Sequence, residues 1–187
     1  DWSSDVCSSD LALVRGGTSH RLVPIGADLD EAVYRDLVMD RGIASAAPVI
    51  ETDVGIAARP GFRVPLLGVD PTQEGSLRSF AGFEPDRSGD DLSRLMTEPH
   101  TVLLPATLAA ELGAQPGAMV TLQVGGRDTT VHVLGTIGNL ASDAQAEPPI
   151  LADISTVQEL LGVNGRITRI DMRLTEQEAA DLGASPP

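Results

Sequence analysis

The stretch Thr101–Ile137, TVLLPATLAAELGAQPGAMVTLQVGGRDTTVHVLGTI, decides the fold, because strand, helix, turn and hairpin signals follow one another in it without a break. Val102–Leu104 is an apolar run of strand length. Pro105 then opens a helix, where its missing N–H would be unpaired in any case, and Gly113 closes it in the left-handed conformation that ends many helices. Gln115-Pro116-Gly117 follows, with Pro and Gly in the two central positions of a type II turn. Two strands then pair across Gly125-Gly126, with Val120, Leu122 and Val124 on one face of the first and Val131 and Val133 on one face of the second. This segment reads as a compact β-rich lobe.

Both ends of the chain carry a different unit. PPILADISTVQELLGVNGRITRIDMRL (148–174) gives a short buried strand at Ile150–Ala152, then a helix capped by Asp153 or Ser155. Ser155 and Gln158 have capping-box spacing, Val157, Leu160 and Leu161 face inward, and Gly162 ends the helix. The final strand alternates Ile170, Met172 and Leu174 with Arg169, Asp171 and Arg173, as a strand with one wet face would. Near the other end, DLDEAVYRDLVMDRG predicts a helix over about 29–41, with Asp28 and Glu31 as a capping box and Asp30 adding negative charge at the positive end of the dipole. Val33, Tyr34, Leu37 and Val38 form its apolar face, and Gly42 suits its exit. Extended chain is expected over LALVRGG (11–17), RLVPIG (21–26) and the segment holding Val49, Ile50, Val54 and Ile56.

Between these units FRVPLLGVDP (62–71) is a strand ending in a turn. The loop-rich stretch after it holds one short amphipathic helix around Leu92, Leu95 and Met96, and NLASDAQAEPP (139–149) is a polar return loop. The expected fold class is α+β: a lobe of two βαβ-like units from 12–58 and 149–175, an inserted β-rich lobe from 59–148, and a C-terminal segment 176–187.

Composition removes several functions. The 187 residues are enough for one moderate core or two small lobes, built from aliphatics because aromatics make up only 3%. The formal charge is −14 and all 13 basic residues are Arg, so nucleic acid, which needs a basic patch, is not an expected partner. No run approaches the ~20 apolar residues of a membrane span. Cys7 is the only cysteine, which excludes a disulfide framework.

No catalytic, cofactor or metal residue is expected. VGGRDTT sits between two strands and reads as a hairpin turn, not as a phosphate cradle opening a helix. His20, His100 and His132 lack ligand spacing. Asp70 in GVDP is a turn starter, Asp153 a helix cap, and Asp90 and Asp91 the start of the short helix. There is no Gly-x-Ser-x-Gly.

The order of GVDPTQE, HTVLLPATLAAELGAQPGAMVTLQVGGRDTTVHVLGTI and ILADISTVQELLGVNGRITRIDMRL resembles the extracytoplasmic MacB-like periplasmic core domain of FtsX-like ABC transporter permeases, over residues 12 to about 175. The resemblance implies a domain inserted between the first two membrane helices of a permease, with a porter-like lobe made by both ends and a second lobe inserted. It implies no ATP binding and no enzymatic activity. A separate ABC ATPase subunit, a permease dimer, and an extracytoplasmic protein or lipoprotein are the partners it suggests, with ATP-driven movement coupled to export, lipoprotein release or a partner protein. A competing reading makes the chain a soluble periplasmic hydrolase or sugar-binding enzyme using Asp70 or Asp153. A third makes it a stand-alone scaffold module.

The head, DWSSDVCSSDL (1–11), has neither helical nor strand periodicity. Asp5, Cys7 and Asp10 would mix hard and soft ligands without a histidine, and no apolar run precedes Cys7 as lipid attachment requires. The head resembles a translated sequencing-adapter fragment, and it stands where the resemblance expects the first membrane helix, just before Leu13. It is expected to be non-native and irregular. The second membrane helix is expected beyond Pro187.

Overall fold

A computed structural model describes residues 19–24, 26, 28–70, 93–137 and 148–184. The head, LALVRGG, Asp90, Asp91, Leu92 and most of the 139–149 loop lie outside these residues. The strands are β1 (His20–Leu22), β2 (Leu29–Asp30), β3 (Ala46–Ile56), β4 (Arg59–Val69), β5 (Thr101–Pro105), β6 (Met119–Val124), β7 (Arg127–Ile137), β8 (Ile150–Asp153), β9 (Arg166–Ile167) and β10 (Arg169–Met172). The helices are α1 (Glu31–Arg35, continued by a π turn over Asp36–Asp40), α2 (93–97), α3 (Ala106–Leu112), α4 (Ile154–Leu161) and α5 (Glu176–Ala184). Mixed helix and strand is the class expected from the sequence.

Eight strands form one sheet in the order β1-β10-β3-β4-β8-β5-β7-β6, and β6 also pairs with the far end of β3 through Gly55↔Gln123 and Ile56↔Leu122. Six of them, β3, β4, β8, β5, β7 and β6, therefore close into a ring. Along one edge β3 first pairs with β10, through residues 46–49, and then with β6, through residues 55–56. Between those contacts Thr168 fills part of the gap: its hydroxyl accepts from the Glu51 amide at 2.9 Å and donates to the Val49 carbonyl at 3.0 Å. The sheet crosses both expected segment boundaries, since β8 sits between β4 and β5 in parallel and antiparallel pairing respectively.

Local chemistry explains the elements. Gly125 and Gly126 have φ of 54° and 81°, and two successive positive φ values make the tight turn whose twist matches the β6–β7 hairpin. Gly117 sits at φ 88°, with the Ala118 amide donating to the Gln115 carbonyl at 2.9 Å, as a Pro-Gly type II turn requires. Both α3 and α4 end on left-handed glycines, Gly113 and Gly162.

At five points the structure departs from the sequence reading or adds to it. The cap of α1 is Asp30, whose carboxylate accepts from the Ala32 amide at 2.8 Å; Asp28 lies too far back because β2 runs up to Asp30. The helix also does not stay α to residue 41 but widens into the π turn. Asp153, not Ser155, caps α4, and Gln158 reaches the Arg166 carbonyl and Glu31 instead of closing a box. Segment 176–187 holds α5, opened by a reciprocal capping box: the Thr175 amide donates to Glu178 at 2.7 Å and the Glu178 amide to the Thr175 hydroxyl at 3.3 Å. Finally, the polar face of β10 is not wet, because Arg169 and Asp171 are buried.

The principal apolar cluster joins ring residues such as Ile50, Leu66, Leu104, Leu122 and Ile150 to Leu37 of the π turn, Leu108 of α3 and Val157 of α4. Each fully buried Leu or Ile contributes roughly 1.5–3 kcal/mol. A second cluster on the opposite face of the sheet contains Val49, Leu67, Val69, Leu103, Leu134, Ile137 and Leu151, and Leu95 of α2 packs into it. Helix α4 lies so close on β4 that a Cβ at Gly68 would stand 2.9 Å from Val157 Cγ2 and 3.3 Å from Ile154 Cα.

Candidate functional site

The residues weighed for chemistry do not converge. Asp70 is half-buried at the end of β4. Asp153 is engaged in capping α4, its carboxylate accepting from the Ser155 amide at 3.0 Å and from the Ser155 hydroxyl. His20 meets the Ser19 hydroxyl at the sheet edge. The backbones of His100 and His132 do meet, the His132 amide donating to the His100 carbonyl at 2.8 Å, but the His100 ring turns to Glu159 on α4, 3.4 Å away. Among the described residues no three His, Cys, Asp or Glu side chains form a group that could hold a metal. A shallow cleft of about 150 Å³ lies between α5 and Arg41–Ile43, lined by Arg41, Ile43, Glu178, Asp181 and Leu182. Glu178 is committed to its capping box there, and the Thr175 amide and hydroxyl hold its carboxyl below the ordinary 4.5.

What the fold does assemble is a junction at the sheet margin. Strand β1 pairs antiparallel with β10 through His20↔Met172, Arg21↔Asp171 and Leu22↔Ile170. Just outside the ladder the Leu174 amide donates to the Ser19 hydroxyl at 2.8 Å, and the Ser19 amide to the Met172 carbonyl at 2.9 Å. Among the described residues the first and last strands of the sheet thus meet at one point. Strand β10 runs from this point between β1 and β3, and β3 continues into the ring. One continuous hydrogen-bonded ladder thus connects the junction to the ring.

A line of alternating charges crosses these strands on one face. Arg21 of β1 donates through Nε to Asp171 Oδ1 at 2.9 Å. Arg169 of β10 contacts both oxygens of Asp171 at 3.2 Å through its own Nε, and through Nη1 it pairs with Glu51 of β3. The side chains of Asp171 and Arg169 are only 1% and 7% exposed, those of Arg21 and Glu51 30% and 41%. Two cations and two anions balance, which makes burial of the central pair tolerable. The sequence showed these residues but not their burial: alternation in β10 reads as one dry and one wet face, and nothing local announces that charges from both neighbouring strands flank the second.

No helix among the described residues is long and apolar enough to cross a membrane. No family model matches the chain. It is 33% identical over 171 residues, 90% of its length, to an uncharacterized ABC transporter permease protein of Mycobacterium tuberculosis, and spans 20% of that relative's length. Among solved structures it is similar to the extracellular domain of the noncanonic ABC-type transporter YknZ from Gram-positive bacteria, with a TM-score of 0.56 at 11% identity, covering 86% of this chain and 79% of that one. It is similar also to the periplasmic region of MacB from Actinobacillus actinomycetemcomitans, with a TM-score of 0.56 at 13% identity, covering 83% and 72%. Along 90% of its length the chain is thus similar in sequence to part of an ABC transporter permease, and it shares the fold of the YknZ extracellular domain and the MacB periplasmic region.

Proposed function

We propose that this domain has no chemistry of its own and relays movement of a permease's membrane part to the extracytoplasmic side. A separate ABC ATPase drives the cycle, and the permease works as a dimer. The work done outside is export, lipoprotein release or action on a partner protein. The observation that carries this reading is the junction at Ser19 and Leu174, where both ends of the sheet's chain path meet. Paired ends let two membrane segments move the domain as one body, whereas distant ends would strain it. The segments 12–58 with 149–175 and 59–148 act in this reading as two lobes that share one sheet.

Because residues 19 and 174 adjoin, a short Gly-Ser linker can replace everything between them in a full-length permease without stretching the chain. With its ATPase present, that variant should still insert and bind the ATPase but lose transport. Undiminished transport would sink the relay. A purified domain that hydrolyses a substrate, and loses that activity without losing stability on Asp70→Asn or Asp153→Asn, would favour an enzyme instead.

A further inference from the structure

We propose that β1 is a releasable strap, latched onto β10 by Arg21 and built to come off without orphaning the buried charge beneath it. Three observations lead there. First, β1 is three residues long, none of them buried, and among the described residues it sits at the sheet margin, with the half-buried Leu22 as its apolar contact with the core. Its neighbour β10 is the reverse, buried at every position and paired on both sides. Second, what fixes β1 beyond its short ladder is polar: the Arg21–Asp171 pair at 2.9 Å and the Ser19–Leu174 hydrogen bond at 2.8 Å.

Third, the partner left behind is already provided for. An isolated carboxylate as buried as Asp171 would resist the departure of its cation, since stranding a charge away from water is strongly unfavourable. Asp171 is not stranded, because Arg169 holds both of its oxygens from the same strand, and Arg169 in turn keeps Glu51. Removing Arg21 leaves a compact Asp171–Arg169–Glu51 triad. The strap can peel and reseat while β10 and the ring stay formed, as local opening in the low-stability part of a fold does. The inference rests on the fold alone and survives if the relay reading fails; if both hold, the junction passes movement on only while the strap is seated.

The test is amide hydrogen exchange by NMR on the 187-residue chain. The reporters are the Ser19 amide, bonded to Met172, and the Leu174 amide, bonded to Ser19; the Thr168 amide, bonded to Val49 on the other side of β10, is the control. In the wild type the two reporters should be protected, yet exchange at least tenfold faster than Thr168. Arg21→Gln should speed them at least tenfold further and, because the seated state loses the same tenfold (about 1.4 kcal/mol) against the unfolded chain, lower the stability read from urea by a like amount, while Arg21→Lys should recover part of the loss. Raising salt on the wild type should also speed the reporters, and in sub-denaturing urea they should show a small urea dependence while Thr168 follows the larger one of a wider opening, which keeps a readout should the variant fold poorly. Reporters that exchange at the control's rate, that are unprotected from the outset, that share the urea dependence of Thr168, or that Arg21→Gln leaves unmoved would each overturn the strap.

Discussion

Replacing Gly68 with Ala tests how tightly α4 is seated on β4. The added methyl would lie 2.9 Å from Val157 Cγ2, 3.0 Å from Val157 Cβ and 3.3 Å from Ile154 Cα. Carbon atoms rest at about 3.5–4.0 Å, so the helix must back off by roughly half an ångström or more. It has little freedom to do so: Asp153 caps it one residue before Ile154, and Val157 is fully buried. Overpacking of this kind costs about 1–3 kcal/mol, which for a chain of this size lowers Tm by roughly 2–12 °C. Val157→Ala removes two buried methyls and should cost about 2 kcal/mol once the cavity is included. The informative measurement is the double variant, in which the new methyl occupies the space that Val157 gives up. Its destabilisation should fall short of the sum of the single variants by about 1–2 kcal/mol, read from urea unfolding at constant m-value. A Gly68→Ala variant within about 0.5 kcal/mol of wild type, or a strictly additive double variant, would refute the close packing of α4 on β4.

Asp30→Ala should destabilise the chain by about 1 kcal/mol through loss of the α1 cap, and Asp153→Ala by a similar amount at α4, while Asp28→Ala should stay within about 0.5 kcal/mol in the same urea assay. Gly126→Ala forces a side chain into φ 81° and should cost about 1–2 kcal/mol, with the loss appearing first in the β6–β7 amides. The Glu178 carboxyl titrates below its ordinary 4.5 because Thr175 hydrogen-bonds the charged form. Its contribution to α5 is therefore complete above pH 4.5 and is lost as pH falls through the lower folded value. Cα chemical shifts over 176–184 should report fraying of the helix in acid, and Glu178→Gln should flatten that pH dependence.

Whatever was set by a few neighbouring residues could be read before the structure. Pro105 and Gly113 bracket α3, Pro116-Gly117 and Gly125-Gly126 make their turns, and Gly162 ends α4, because each depends on a backbone preference of that residue alone. Caps were harder, since Asp28, Asp30, Asp153 and Ser155 all have suitable side chains and only the path of the preceding strand decides between them. The box Thr175-Glu-Gln-Glu178 stands in the sequence, but α5 has no buried residue and so no apolar face whose period would point to a helix. The placement of β8 between β4 and β5 was out of reach: it pairs Ile150 with Leu66 and Leu151 with Leu103, partners that no local pattern can choose among many apolar strands. The closing contact of β6 on β3 is of the same kind. For the candidate site, Arg21, Asp171, Arg169 and Glu51 come from three separate segments, so their balance of charge emerges only when β1, β10 and β3 lie side by side.

The meeting of Ser19 and Leu174 also makes the domain portable. A unit whose entry and exit lie one hydrogen bond apart can be spliced into a loop of almost any host without prying that loop open, and can be cut out again leaving a gap that a few residues span. The same proximity permits circular permutation: joining residues 174 and 19 through a short Gly-containing linker and opening the chain at the exposed Gly125-Gly126 turn should give a protein with the same sheet and new termini at that turn.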